Sequence, residues 1–427
     1  MTSIRVITLG CSKNTVDTEH LLGMLPQDRF EIVNDGPSDI LLLNTCGFIG
    51  DAKEESVNAI LQAVAAKADG QFGKVAVFGC LSQRYAGELP TEIPEVDAWF
   101  GARDLDPLVR WLGVEPVHSH ERFVSTPGKP YAYLKISEGC DRSCSYCAIP
   151  AIRGAHRSVS IEDLVREARF LAESGVKELI LIAQDTTYYG IDLYRRRALG
   201  ELLSALSRIE GIEWIRIHYS YPDSFPEDVL DAMATNPKIC PYLDIPLQHI
   251  SDRVLSMMHR HTTGDNVRSL IRRFREKVPD IVLRTTLIVG HPGEDEEQFD
   301  ELLDFVRQSR FERLGAFEYS EEEGTYAALN YEDSVPPEVK QRRYDALMSL
   351  QSDISRSFNE SRVGRTERVL VDDCVDGMLV CRSRYESPDV DGEILVKAPE
   401  NAAGLISQFV DVRIVAAGEY DLVAELL

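Results

Sequence analysis

The chain has 427 residues, long for one domain and of a size that suggests roughly three. Hydrophobic residues make up 44 % and Gly and Pro are not in excess, which excludes a disordered or fibrous chain and predicts several packed cores. A formal charge of −24, from 46 Lys and Arg against 70 Asp and Glu, makes phosphate backbones poor default partners and basic proteins better ones.

A strand-like run starts a few residues after Met1, and no apolar stretch approaches membrane-spanning length. The expectation is a cytoplasmic protein with no signal peptide and no membrane partner. In that compartment thiols stay reduced, so nine cysteines predict metal binding before disulfides.

Residues 1–112 form the first predicted domain, where apolar runs at 5–9, 39–44 and 74–78 alternate with helical stretches such as 52–66. This is the pattern of a parallel α/β sheet. Cys11, Cys46 and Cys80 each follow one of those runs, beside Gly10, Gly47 and Gly79. The ends of parallel strands lie along one edge, so three such cysteines can converge on one centre and leave a coordination position free. The competing reading for each alone is a buried small hydrophobe.

The stretch 115–130, with Pro116, Pro127, Gly128 and Pro130, reads as a domain connection. The alternation restarts in a second domain, 126–356, with strands expected at 131–137, 178–183, 214–218, 242–246, 281–289 and 313–319. Helices lie between them, for instance at 161–174 and 295–309, and the strands either close partly into a barrel or stay open. Cys140-Asp-Arg-Ser-Cys144-Ser-Tyr-Cys147 follows the first of these strands. Three thiolates are too few to saturate a tetrahedral zinc or a four-iron cluster, so one position is open to an external ligand. A zinc site is the competing reading. The acidic run 321–323 reads as a solvated loop face, and Arg153, Arg157 and the arginines at 195–197 as solvated loop residues. A long polar helix at 337–362 leads into 358–427, where short runs of period two predict a small β-barrel. Cys240, expected just before a strand, and Cys374 and Cys381 in the barrel read as structural.

The C-x-x-x-C-x-aromatic-C pattern, with Tyr146 as the aromatic, resembles the signature of radical S-adenosylmethionine enzymes. A three-cysteine domain, then a radical domain, then a barrel similar to the TRAM domain resembles the methylthiotransferase family over essentially the whole chain. That resemblance implies an N-terminal parallel α/β domain, a central partial (β/α) barrel and a C-terminal all-β TRAM-like barrel. It implies two 4Fe–4S clusters, one on Cys140, Cys144 and Cys147 with S-adenosylmethionine on its fourth iron. The other, on Cys11, Cys46 and Cys80, would carry the sulfur that is transferred. One S-adenosylmethionine would give its methyl group to that sulfur, and a second would yield the radical that removes a substrate hydrogen. An electron donor such as flavodoxin or ferredoxin is implied. Cofactor contacts are expected from Tyr146, Gln184, Asp185, Gln248, Arg284 and Gly290. Among these the Arg284 guanidinium suits the carboxylate, and Gly290 would pass near the adenine or ribose. His249 is expected to orient its loop.

Two branches of the family compete for the substrate, an adenosine of transfer RNA and an aspartate of a ribosomal protein. The stretches 245–249 (Ile-Pro-Leu-Gln-His) and 383–392 resemble the ribosomal-protein branch. Residues 358–427 hold seven Lys and Arg against fourteen Asp and Glu, a net of −7 that suits a basic ribosomal protein better than a phosphate backbone. The activity implied is methylthiolation of the β-carbon of an aspartate in the twelfth small-subunit ribosomal protein. The alternatives are modification of transfer RNA and a non-catalytic iron–sulfur or zinc protein that binds ribosomal partners.

Overall fold

The structure is a computed structural model that describes residues 1–117, 121–124 and 128–427. Of the connecting stretch 115–130, the expectations that fall on Pro127, and on residue 126 as a domain start, lie outside the described residues.

Strands β1 (Thr2–Thr8), β2 (Phe30–Val33), β3 (Ser38–Thr45), β4 (Phe72–Gly79) and β5 (Ala98–Trp99) form a parallel sheet in the order β2-β1-β3-β4-β5. The central strand β3 carries an unbroken apolar run at 40–43 because both its faces are covered. Ile40 and Leu42 join the core under the helix Ser12–Gly23, whereas Leu41 and Leu43 join the core under the helix Gly50–Ala68.

The second sheet takes β6 (Tyr131–Lys135), then β9 (Glu178–Ile182), β10 (Trp214–Ile217), β11 (Ile239–Asp244), β12 (Val282–Val289) and β13 (Arg313–Glu318). Its order, β13-β12-β11-β10-β9-β6, is sequential and parallel, with β13 and β6 unpaired on their outer sides, so the barrel is partial. Between β6 and β9 a short antiparallel pair, β7 (Ser137–Glu138) with β8 (Arg157–Ser158), frames the cysteine loop. Leu179 and Leu181 of β9 face the outer helices, and Ile180 and Ile182 face inward to meet Val16 of the N-terminal domain. Cys240 lies inside β11 rather than before it, packed with Trp214 and Tyr242. An apolar Ile-Cys before Pro241 reads as a strand approach, yet parallel pairing with β10 begins at Ile239.

The helix Pro337–Glu360 crosses to a closed barrel of β14 (Thr366–Val375), β15 (Met378–Arg382), β16 (Ile394–Lys397), β17 (Phe409–Ala417) and β18 (Leu422–Leu426). Closure removes free sheet edges, which is how so short a β-domain stays intact. Its segment 382–391 reaches side chains of β6 and β11 and the residue that follows β10. The Tyr133 hydroxyl donates to Asp389 at 2.7 Å, Tyr242 donates to Asp391 at 2.7 Å, and Ser387 Oγ lies 2.8 Å from His218 Nε2.

Charge pairs weld the three units. Glu178 Oε1 accepts from Arg216 Nε at 2.7 Å and its Oε2 from Arg382 Nη1 at 2.7 Å, all three side chains buried. Arg122, in the connection, pairs with Glu19 of the first domain and Glu167 of the second. The acidic run at 321–323 is solvated at Glu321 and Glu323 but not at Glu322, which is 3 % exposed and holds Lys53 at 2.8 Å and Arg84 at 2.9 Å. A charged run in sequence looks solvated until the partner domain supplies cations. Among the described residues, no helix is long and apolar enough to cross a membrane.

Two outcomes follow from these pairs. Glu178→Ala leaves the Arg216 guanidinium buried without a carboxylate and Arg382 with Asp372 alone, and should cost about 3–5 kcal/mol, read as an earlier denaturant midpoint; a loss below about 1 kcal/mol would contradict the buried pair. Burial opposes ionisation of Glu386, but Arg362 and Arg313 outweigh it and hold the carboxyl at about 2, below the ordinary 4.5. The stabilisation is then complete above pH 4.5 and lost as pH falls towards 2. Glu386→Gln should flatten that part of the stability profile.

Candidate active site

Cys11, Cys46 and Cys80 follow β1, β3 and β4, so the parallel register carries them to one edge. Gly10 has φ +89, and a Cβ there would stand 2.7 Å from Cys46 Cβ and 3.0 Å from its Sγ. Only glycine lets the two strand ends approach this closely. Ser56 Oγ fixes Cys46 from both sides, accepting from its N–H at 3.0 Å and donating to its carbonyl at 2.9 Å. Burial pushes the Cys80 thiol up to about 12, with Arg153 opposing and the Cys11 and Cys46 sulfurs adding. Cys46 is raised by burial and again by Cys11. The Cys11 and Cys46 sulfurs therefore stand close enough to Cys80 to oppose its ionisation.

The second set is built by a tight loop. Gly139, at φ +76, passes the neighbouring chain where a Cβ would lie 2.2 Å from the Ala155 carbonyl oxygen. Cys140 N–H donates to the Gly154 carbonyl at 3.0 Å and Cys147 N–H to the Cys144 carbonyl at 3.1 Å. Burial raises Cys140 to about 11 and Cys147 to about 12, and in both the Cys144 sulfur adds to the effect. Donors already face the sulfurs: Arg142 N–H lies 3.4 Å from Cys140 Sγ, and Arg260 Nη1 lies 3.8 Å from Cys144 Sγ. The Tyr221 ring sits between those two arginines, 3.9 Å from one guanidinium and 4.1 Å from the other.

Among the described residues, no three His, Cys, Asp or Glu side chains gather tightly enough for a single metal ion. A cube of four irons distributes its ligands over separate corners, and three thiols on a compact loop with N–H donors aimed at sulfur suit it. A cavity of about 110 Å³ opens beside Cys140, lined by Arg142, Ser143, His156, Asp185, Tyr188 and His261 among others.

The residues expected around the cofactor divide into two groups. Asp185 lines that cavity and accepts from Arg142 Nε at 2.9 Å, tying the cysteine loop to the end of β9. Gln184 donates to Glu138 at 2.8 Å and keeps its buried Oε1 without a partner. Gln248, at φ +73, hydrogen-bonds β12 through its backbone, and its Oε1 is also buried and unpartnered. Unsatisfied buried acceptors are uncommon and suit a bound ammonium group. Tyr146 is half-buried and stands edge-on to His291, with ring centroids 6.5 Å apart. Arg284 is drawn the other way, to Asp244 at 3.0 Å and Asp391 of the small barrel at 3.7 Å. At Gly290 a Cβ would stand 2.4 Å from Lys340 Cγ, so its bare face is turned to the long helix. His249 is fully buried, accepting from Ser251 N–H at Nδ1 and facing Glu294 through Nε2 at 3.0 Å, which orients the loop.

Sequence reading passes over Arg142, Tyr221 and Arg260, which line the sulfurs, and misreads Arg153. That residue is 3 % exposed and donates to Cys80 Sγ at 3.1 Å, far from a solvated loop position. Their common signal is position, since each lies in a segment that leaves the C-terminal end of a strand.

The partial parallel barrel and its three-cysteine loop define a radical S-adenosylmethionine enzyme, and the Radical SAM superfamily model matches residues 134–306. The model described as uncharacterized protein family UPF0004 matches 3–101, and the TRAM domain matches 363–427. Among solved structures, the radical S-adenosylmethionine methyltransferase TsrM from Kitasatospora setae shares the fold, with a TM-score of 0.56 at 12 % identity over 74 % of this chain and 73 % of that one. Similar curated proteins carry the name ribosomal protein uS12 methylthiotransferase RimO. The one from Christiangramia forsetii is 51 % identical over 99 % of this chain and 94 % of its own length. That from Bacteroides fragilis is 49 % identical over 100 % of this chain and 99 % of its own. The chain belongs to this family of radical S-adenosylmethionine methylthiotransferases. Membership implies a 4Fe–4S cluster and S-adenosylmethionine.

Gly139→Ala should strain the backbone by about 1–3 kcal/mol and force the loop off the Ala155 carbonyl. Iron bound after anaerobic reconstitution should then fall, while Gly128→Ala, where a Cβ meets nothing within 4 Å, should leave iron content unchanged. Full iron in the Gly139 variant would contradict the close approach.

Proposed function

We propose that this chain methylthiolates the β-carbon of an aspartate in ribosomal protein uS12, working with two 4Fe–4S clusters. The substrate rests on one observation, the near-full-length likeness at about half identity to relatives of that name. The second cluster is supported by the convergence of Cys11, Cys46 and Cys80. The working units are 1–112, 126–356 and 358–427.

When bound, S-adenosylmethionine and the two clusters supply the methyl group, the sulfur and the hydrogen-abstracting radical. Cys140, Cys144 and Cys147 hold one centre, and Cys11, Cys46 and Cys80 hold the other. Tyr146, Gln184, Asp185 and Gln248 would hold the cofactor, and the free Oε1 atoms of the two glutamines would serve as acceptors for its ammonium group. Asp185 keeps Arg142 over the cysteine loop. Arg284 and Gly290 act from farther out, Arg284 by joining the barrel wall to Asp391. Val16 of the first domain packs on Ile180 and Ile182 of the central barrel, and the segment 382–391 of the small barrel hydrogen-bonds its Tyr242 and His218. A ribosomal-protein substrate places the work in the cytoplasm, with a flavodoxin or ferredoxin as electron donor.

Anaerobic reconstitution should give about eight irons per chain with matching sulfide, as two such clusters require. With S-adenosylmethionine and reductant, mass spectrometry of a uS12 peptide should show a methylthio adduct on aspartate. Four irons would remove the second cluster from the proposal, and eight irons with a modified transfer RNA and an unmodified peptide would overturn the substrate.

A further inference from the structure

Arg153 ends the short helix Ile149–Arg153 that follows Cys147, and it points out of the radical domain into the N-terminal one. Every nitrogen of its guanidinium is used. Nε donates to Cys80 Sγ at 3.1 Å, Nη1 to Asp17 at 2.6 Å and Glu138 at 3.2 Å, and Nη2 to Asn14 Oδ1 at 2.6 Å. Its side chain is 2 % exposed. Asn14, fully buried, extends the reach of this contact. Its Nδ2 donates to the Leu9 carbonyl at 2.8 Å and the Thr45 carbonyl at 3.3 Å, the strand ends that lead into Cys11 and Cys46. One cation from the radical domain thus touches the third cysteine directly and, through a single amide, the strand ends that lead into the other two.

We propose that Arg153 is a positioning residue that couples the two cysteine sites and sets the electron affinity of the N-terminal one; this rests on the reading that Cys11, Cys46 and Cys80 hold a cluster. A thiolate-bound cluster carries negative charge, and its potential follows net charge and hydrogen bonds to sulfur. A buried guanidinium at hydrogen-bond distance from a ligand sulfur stabilises the form with one more electron, and more strongly than it would in water. Asp17 and Glu138 fix the guanidinium, and both also hold Lys135 of β6. Glu138 in turn accepts from Gln184 at 2.8 Å. The same carboxylate therefore contacts the clamp of the N-terminal site and a residue of the cofactor site. This geometry makes the fork, and not only the charge, part of the role.

The test uses the full chain in a background with Cys140, Cys144 and Cys147 all changed to Ala, so that only the N-terminal set can bind. That background should hold about four irons and give one midpoint potential in a titration followed by electron paramagnetic resonance. Without iron in the background, the two-cluster reading itself fails. With iron present, Arg153→Gln should shift the midpoint to lower potential and alter the signal of the reduced cluster. Arg153→Lys, which keeps the charge and loses the fork, should recover part of the shift. In the otherwise unaltered chain, Arg153→Gln should move one midpoint and leave the other. An Arg153→Gln cluster with unchanged potential and spectrum overturns the proposal. If that variant loses its iron, Arg153→Lys decides: a lowered midpoint supports the proposal, and an unchanged one overturns it.

Discussion

In a parallel sheet every strand points the same way, so all its C-terminal ends emerge along one edge. Cys11, Cys46 and Cys80 are separated by tens of residues and meet only because β1, β3 and β4 pair in register, Thr8 beside Asn44 and Thr45 beside Gly79. The central barrel repeats the arrangement with its own strands. Lys135 and Ile182 end β6 and β9 as register partners, and the cysteine loop and Gln184-Asp185 leave from those ends. Two edges built this way can face each other, and the helix Ser12–Gly23 lies between them, sending Val16, Asp17 and Asn14 into the junction.

The junctions between units are made of buried charge instead of apolar surface alone. Such pairs add little net stability, because desolvation offsets much of the attraction. They do penalise any other docking, since a displaced guanidinium would be left without its carboxylate. Arg122 with Glu19 and Glu167, Glu322 with Lys53 and Arg84, and Glu178 with Arg216 and Arg382 each use partners from two units. A reaction that moves a group between two centres needs their separation fixed, and charge pairing supplies that fixity where the sequence offers no long apolar interface.

The central strands are legible in the sequence because two covered faces demand an unbroken apolar run, as at 40–43 and 179–183. The edge strands of the first sheet are not, since β2 and β5 are only four and two residues long and half-exposed, too little for any period to register. Strand β18 alternates buried Leu422 and Ala424 with exposed Val423, but its exposed positions are apolar enough to blur the pattern. Both cysteine sets can be found because glycine-flanked strand ends and a tight cysteine spacing are local features. Charged partners are not local: Arg153 and Glu322 read as solvated in the chain and are paired only once a second domain arrives. Arg284 shows the converse, a residue whose chemistry suits a carboxylate and whose carboxylates turn out to be Asp244 and Asp391.

Folding also sharpens the meaning of the acidic balance in the C-terminal barrel. Of its seven cations, Arg362 and Arg382 are spent inside, on Glu367, Glu386, Asp372 and the Glu178 of the neighbouring unit. Asp391 is likewise turned inward, to Arg284. Setting these aside leaves five cations against ten anions over 358–427, the same two-to-one excess that the whole segment carries. Burial therefore reveals no basic face hidden by an acidic interior. Binding to a phosphate backbone draws its strength from cations that displace counterions, and the barrel presents the opposite field. A polypeptide rich in Lys and Arg meets that field with attraction at long range, so the barrel's charge favours a basic protein as the molecule brought to the cysteine edges.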